Sequence, residues 1–170
     1  HCGDIMFDNL LHFSKTAEEK TSVISNLHLK GKQFILCTIH RDNNTDIPER
    51  LNAIFSALHH LTTENELEIV LPLHPRTSKL LESRLQPLVF KSVTNNKSIH
   101  LIPPVSYLEM IALEKNAILI LTDSGGVQKE AYFFHKPVVV ARPETEWTEI
   151  IDNGSGLIAD ADEEKIVRSV

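Results

Sequence analysis

Short apolar, β-branched runs recur along this chain, separated by amphipathic stretches of helical period. Strands are predicted at 34–39, 68–73, 99–102, 117–122, 137–141 and 156–158. Between them Ile47, Leu51, Ile54, Phe55, Leu58 and Leu61 share one helical face. Asp46 is placed to cap that helix, with Glu49 three residues on and Pro48 in the first turn. Further helices are expected at 14–29 (Gly31 marking its end), 77–85, 107–115, 126–134, 146–152 and from Asp162 onward. Residues 86–97 read as a polar loop. No internal repeat or low-complexity tract interrupts the alternation.

Strands apolar throughout, alternating with helices, predict a parallel sheet covered on both faces. With right-handed crossovers this is an α/β, Rossmann-like doubly wound domain. Such sheets bind ligands at the carboxyl ends of their strands. The unusual polar residues fall there: His40-Arg41, His74-Pro75-Arg76, Asp123-Ser124-Gly125-Gly126, and Arg142 through Trp147.

The 170 residues are 42% apolar and 24% charged, sufficient for one well-formed core. A net charge of −6 argues against nucleic acid or anionic membranes as partners. No apolar run approaches the roughly 20 residues that cross a bilayer. The two cysteines, Cys2 and Cys37, make no disulfide framework, and Cys37 in its apolar run reads as a small buried hydrophobe. The default compartment is therefore a reducing cytoplasm. Nine histidines show no metal-ligand spacing, and His59-His60 reads as helix surface. The opening His1-Cys2-Gly3-Asp4 matches neither an initiator nor a signal peptide, and the last residues stop inside a helix. The sequence thus reads as an internal piece of a longer protein.

Ser124-Gly125-Gly126 carries the chemistry. A strand ends there, two glycines follow, and a helix begins, which aims free N–H groups and a helix dipole at one spot. Glu130, in the first turns, suits the two hydroxyls of a ribose. The same residues also describe a plain βα turn with a carboxylate complementing the dipole. His40 and Arg41 can bind phosphate oxygens, Arg41 bidentately, or form a surface pair. His74 is either functional or structural. Met110, early in its helix, is a core residue or sits on a backbone that frames a base. Arg142, Thr145 and Glu146 lie beside the only tryptophan, Trp147.

The run Thr122-Asp123-Ser124-Gly125-Gly126-Val127-Gln128-Lys129-Glu130-Ala131, with Lys136-Pro137-Val138 and Thr145-Glu146-Trp147, resembles the non-hydrolysing UDP-N-acetylglucosamine 2-epimerases. Thr38-Ile39-His40-Arg41 with Asn44, Leu71-Pro72-Leu73-His74-Pro75, and Gly3-Asp4 resemble that family's other motifs. The resemblance implies the carboxyl-terminal half of a two-domain, GT-B-type enzyme. Residues 1–30 would be an interdomain segment and first helix, and 31–170 the UDP-binding domain. The absent amino-terminal domain would supply the carboxylates that handle the C2 proton. Ser124, Gly125 and Gly126 would hold the diphosphate with His40 and Arg41 nearby, Glu130 the ribose, and the backbone around Met110 the uracil. His74 would lie in the cleft, with Arg142, Thr145 and Glu146 at its margin.

In that family UDP leaves C1 as the C2 proton is removed, then re-adds after protonation on the opposite face. A fragment holding only the UDP half would be inactive. The resemblance implies a UDP-sugar as partner, a homodimer, a role in cell-envelope polysaccharide synthesis, and no metal or redox cofactor. Asn43 replaces a common Glu and Trp147 a common Arg, pointing to a subgroup acting on modified UDP-N-acetylhexosamines. The rival readings are a UDP-sugar glycosyltransferase of the same architecture and a non-catalytic nucleotide-sensing module.

Overall fold

The computed structural model describes residues 3–64 and 67–170, so His1 and Cys2 of the expected interdomain segment lie outside the described residues. Six strands, β1 (Phe34–Thr38), β2 (Glu68–Pro72), β3 (Ile99–Ile102), β4 (Leu119–Thr122), β5 (Val138–Val140) and β6 (Gly156–Ile158), form one sheet. All neighbouring strands are parallel, in the order β3-β2-β1-β4-β5-β6. The order reverses between β1 and β4, which places a ligand crevice at the carboxyl ends of that pair.

Strand side chains alternate between two cores. Ile35, Cys37, Ile69, Leu71, Leu119, Leu121 and Val139 face one side, under α4 (Pro48–Glu64), α5 (Pro75–Arg84), α6 (Pro87–Thr94) and α10 (Glu163–Arg168). Phe34, Leu36, Val70, Ile120, Val138 and Val140 face the other. That side is covered by α1 (Ile5–Lys20), α2 (Val23–Asn26), α7 (Tyr107–Asn116), α8 (Gly125–Phe133) and α9 (Thr148–Asp152). The doubly wound sheet predicted from the alternating pattern is therefore present. Cys37 is buried, and burial pushes its thiol pKa well up, in keeping with a packing role. Among the described residues no helix is long and apolar enough to cross a membrane.

Several boundaries differ from the sequence pattern. Residues 86–97 contain α6, which starts on Pro87 and is held by buried Val93 with Val89 and Phe90 against the core. Packing there overrides the polar, loop-like character of the run. The helix expected at 14–29 instead starts at Ile5, because Asp4 caps it by accepting from the Met6 N–H at 2.9 Å. It stops at Thr21, whose N–H and hydroxyl both bond the Ala17 carbonyl. Asp46 does not cap α4. It closes a short preceding helix, α3 (Asp42–Thr45), and its carboxylate pairs with Arg76 at 2.5 Å. Of the predicted face, Leu51, Ile54, Phe55, Leu58 and Leu61 are buried whereas Ile47 is exposed. The helices expected at 77 and 126 begin at Pro75 and Gly125.

Gly156 is required by packing. A Cβ there would lie 2.8 Å from Val138 Cγ1 and 3.0 Å from Ile150 Cγ2, both in the core. Gly156→Ala is expected to cost about 1–3 kcal/mol by overpacking, measurable as a lowered urea midpoint.

Candidate nucleotide-binding site

The site is organised by Asp123, which has no exposed surface. Its carboxylate accepts the backbone N–H groups of His40 (3.1 Å) and Arg41 (3.0 Å) and the side-chain amide of Asn44 (3.0 Å). The His40 Nδ1 lies 3.5 Å away. Asn44 also donates to the Ala141 carbonyl at 2.8 Å, and its oxygen accepts from Arg50 Nε and Nη2. Arg50 in turn reaches Asp160 at 2.5 Å and holds that carboxyl below its usual range. One chain of hydrogen bonds thus fastens the loops after β1, β4, β5 and β6. It also explains α3, since pulling Asn44 inward makes the chain turn before α4 can begin.

On the paired strands the Thr38 and Thr122 hydroxyls meet at 2.6 Å. The Thr122 hydroxyl accepts the Ser124 N–H at 2.9 Å, setting the turn into α8. Ser124 is the α8 N-cap, its oxygen 3.5 Å from the Val127 nitrogen. Gly125 and Gly126 are the first two residues of that helix, so their N–H groups have no carbonyl to meet within it.

Neither glycine is demanded by the fold. Both have ordinary negative φ, and a Cβ on Gly126 would meet nothing nearer than Met6 Cε at 3.8 Å and Ser124 Oγ at 3.9 Å. A Cβ on Gly125 would make ordinary contacts at 3.5 Å with Glu146 and Trp147. Glycine in a helix costs roughly 0.5–1 kcal/mol relative to alanine. Two such residues at an open helix N-terminus are explained by close approach of something outside the protein. Gly156, whose Cβ would collide with the core, is the contrast within the same chain.

The loop after β5 closes one side of this end of α8. Arg142 holds Glu146 through two bonds of 2.8 Å, which with the charge of Arg41 brings the Glu146 carboxyl down to about 2. Thr145 donates to Gln128 Oε1, and Trp147 Nε1 donates to the Gly125 carbonyl at 2.8 Å. Lys129 lies 4.5 Å over the Trp147 ring and pairs with Asp4, which ties the segment before α1 to α8. The Arg142 guanidinium is thus engaged by Glu146, and Trp147 contributes a hydrogen bond that fixes the glycine turn.

His74 is the N-cap of α5, its Nδ1 accepting from the Arg76 N–H at 3.3 Å. Its ring lies 5.7 Å from that of His40, so the two histidines flank one crevice. Met110 is on α7, which opens with a Ser106–Glu109 capping box, and its own N–H bonds the Ser106 carbonyl. Glu130 follows Gly126 by four residues and so projects from the same side of α8.

Its neighbour is Glu114, a residue sequence reasoning passed over. Glu114 has no exposed surface, and neither carboxyl oxygen meets a donor among the described residues. Burial, then the adjacent Glu130, push its pKa well up. Burial raises Glu130 too, while the hydrogen bond from Glu114 opposes that rise.

The structure therefore gathers His40, Arg41, Ser124, Gly125, Gly126, Arg142, Thr145 and Glu146 around the end of α8, with His74 opposite. Met110 and Glu130 sit further along α7 and α8. A family model described as UDP-N-acetylglucosamine 2-epimerase matches residues 1–170. The chain belongs to the UDP-N-acetylglucosamine 2-epimerase family.

It is 44% identical, over 99% of its length, to a UDP-N-acetylglucosamine 2-epimerase homolog of Methanococcus maripaludis, of which it covers 45%. It is equally 44% identical to the UDP-2,3-diacetamido-2,3-dideoxy-D-glucuronate 2-epimerase of Pseudomonas aeruginosa, covering 98% of this chain and 43% of that one. The Methanocaldococcus jannaschii UDP-GlcNAc 2-epimerase, solved with UDP-GlcNAc and UDP, superposes with a TM-score of 0.88 at 35% identity. That match covers 98% of this chain and 45% of the solved one. The chain thus spans a little under half the length of these relatives.

Proposed function

We propose that this chain is the UDP-binding half of a 2-epimerase acting on UDP-N-acetylglucosamine or a modified UDP-N-acetylhexosamine. The observation that carries the reading is the pair of glycines the fold does not need, at the helix N-terminus facing the β1/β4 switch point. The free N–H groups of Gly125 and Gly126, with the dipole of α8, would receive the diphosphate. Asp123 lies 3.5 Å from His40 Nδ1, which leaves Nε2 on the far side of the ring to face a phosphate oxygen. Glu130 would accept the ribose hydroxyls, and the backbone of the first α7 turns would frame the base.

This arrangement stabilises negative charge on a departing UDP, a contribution that often dominates such a barrier. The proton at C2 would be moved by groups of the companion domain. The equal likeness to a uronic-acid epimerase, and Trp147 where an arginine is common, widen the substrate class to modified sugars.

The deciding experiment incubates the full-length protein in deuterated water with UDP-N-acetylglucosamine, and in parallel with UDP-2,3-diacetamido-2,3-dideoxy-D-glucuronate. Deuterium at C2 and a mixture of C2 epimers, with no acceptor present, is the expected result for one of them. A glycosyltransferase would need an acceptor. Absence of C2 exchange with both sugars overturns the reading. Ser124→Ala is expected to weaken UDP binding by about 1.5–3 kcal/mol, read by calorimetry, as for loss of one hydrogen bond to a charged group.

A further inference from the structure

We propose that Glu114 is a positioning residue for ribose recognition: the proton held between its carboxyl and that of Glu130 keeps the Glu130 carboxylate aimed at the sugar hydroxyls. The proposal rests on the reading of Glu130 as the ribose acceptor.

Glu114 lies in the buried last turns of α7 with Ile111, Ala112 and Leu113. A charged residue in such a place is ordinarily paired, because a buried charge without a partner is costly. Among the described residues Glu114 is in no salt bridge. Its two oxygens are buried and find no donor among the described residues, and Glu130 on the adjoining α8 is the charged group that weighs on it. Two carboxylates in contact cannot both stay ionised, so one proton must sit between them. With that proton on Glu114, Glu130 remains an anion and gains one hydrogen bond that restrains its side chain. The other lone pairs of Glu130 remain for hydroxyl donors.

Of the other ionisable groups nearby, Lys129 acts on Glu130, favouring its anion. Tyr107, on the same helix, feels both carboxyls and is itself held neutral. Lys129, beside Glu130, is paired with Asp4 and lies over Trp147. From α1, Glu18 is paired with Lys115, and His12 stands edge-on to Phe13, which packs on Tyr107. The α2 run Val23-Ile24-Ser25-Asn26, and strands β4 and β5, carry no ionisable side chain.

The arrangement makes ribose selectivity depend on one proton. As pH rises and the shared proton is lost, the two carboxylates repel and Glu130 is displaced. The proton bound in the fold is absent from the unfolded chain once pH exceeds the ordinary carboxyl range. Stability therefore falls with rising pH until the folded pair has itself titrated.

The test uses the full-length protein and compares UDP with 2′-deoxy-UDP by calorimetry from pH 6 to 9. Wild type is expected to favour UDP by about tenfold or more at pH 6, the equivalent of one hydrogen bond to a charged group. The preference should shrink on the alkaline side. Glu114→Leu is expected to reduce the ratio at pH 6 toward the value of Glu130→Ala. Glu114→Gln keeps a donor toward Glu130, so it should retain the ratio and lose its alkaline fall. A wild-type ratio in Glu114→Leu overturns the proposal. Should that variant not fold, Glu114→Gln decides alone, since an unchanged alkaline fall in its ratio is equally fatal. Glu130→Ala with an intact ratio would instead show that the ribose assignment underneath is wrong.

Discussion

Asp123→Ala is expected to lower stability by about 3–5 kcal/mol and to abolish measurable UDP binding. The wild-type carboxylate is wholly buried and serves three donors at 3.0–3.1 Å: the N–H groups of His40 and Arg41 and the Asn44 amide. Alanine leaves them in a cavity, and each unsatisfied buried donor costs about 1–3 kcal/mol. Removing one member of a buried charged network costs a similar total. Against the 5–15 kcal/mol that stabilises a typical domain, that is a large fraction. The effect on binding has a separate cause. Asn44 would no longer be held between Asp123 and Ala141, so the loop carrying His40 and Arg41 would lose its register with the α8 turn.

Asp123→Asn separates the two effects. Volume is kept, but an amide nitrogen then faces amide donors, so about half the stability loss should remain. Urea denaturation and UDP calorimetry on the full-length protein read both quantities. A loss below about 1 kcal/mol in Asp123→Ala would show that the network is not what holds these loops.

Asp123 also marks where the sequence stops being informative. The six strands were legible because a parallel sheet buries both faces, so its strands are apolar throughout and short. The ligand-binding edge followed from the placement of polar residues after strands, while the strand order that puts the switch point between β1 and β4 came only with the structure. The helix behind the Gly-Gly turn was readable from local chemistry, although Ser124 caps it one residue earlier than the pattern placed its start. What could not be read were interactions between residues far apart in the chain. Asp123 contacts Asn44 across 79 positions, and Arg50 contacts Asp160 across 110.

The same cause misplaced the start of α4, since Asp46 has good N-cap chemistry but Asn44 is drawn inward first. Residues 86–97 failed differently. Their polar residues suggested a loop, and the apolar face of Val89, Phe90 and Val93 that packs on the core makes a helix. Glu114 looks like a solvated residue in Leu113-Glu114-Lys115-Asn116. The available signal was its place three residues after Ile111 and next to Leu113, both buried, where an acid is out of character.

Gly126→Ala should uncouple stability from binding in the opposite sense to Asp123→Ala. The substitution fits the fold: φ is helical and the new methyl would find Met6 Cε and Ser124 Oγ at comfortable distances of 3.8 and 3.9 Å. Alanine also restricts the unfolded chain, so stability should rise by about 0.5–1 kcal/mol. The methyl group would occupy the space where a diphosphate must approach the N–H groups of the first turn. We therefore expect UDP affinity to fall about 100-fold, equivalent to about 2.8 kcal/mol. A variant that is more stable in urea and yet blind to UDP cannot be explained by damage to the fold. It would tie the second glycine to the ligand alone. A Gly126→Ala protein that binds UDP as wild type does would move the diphosphate away from the α8 terminus, and with it the main physical argument for this site.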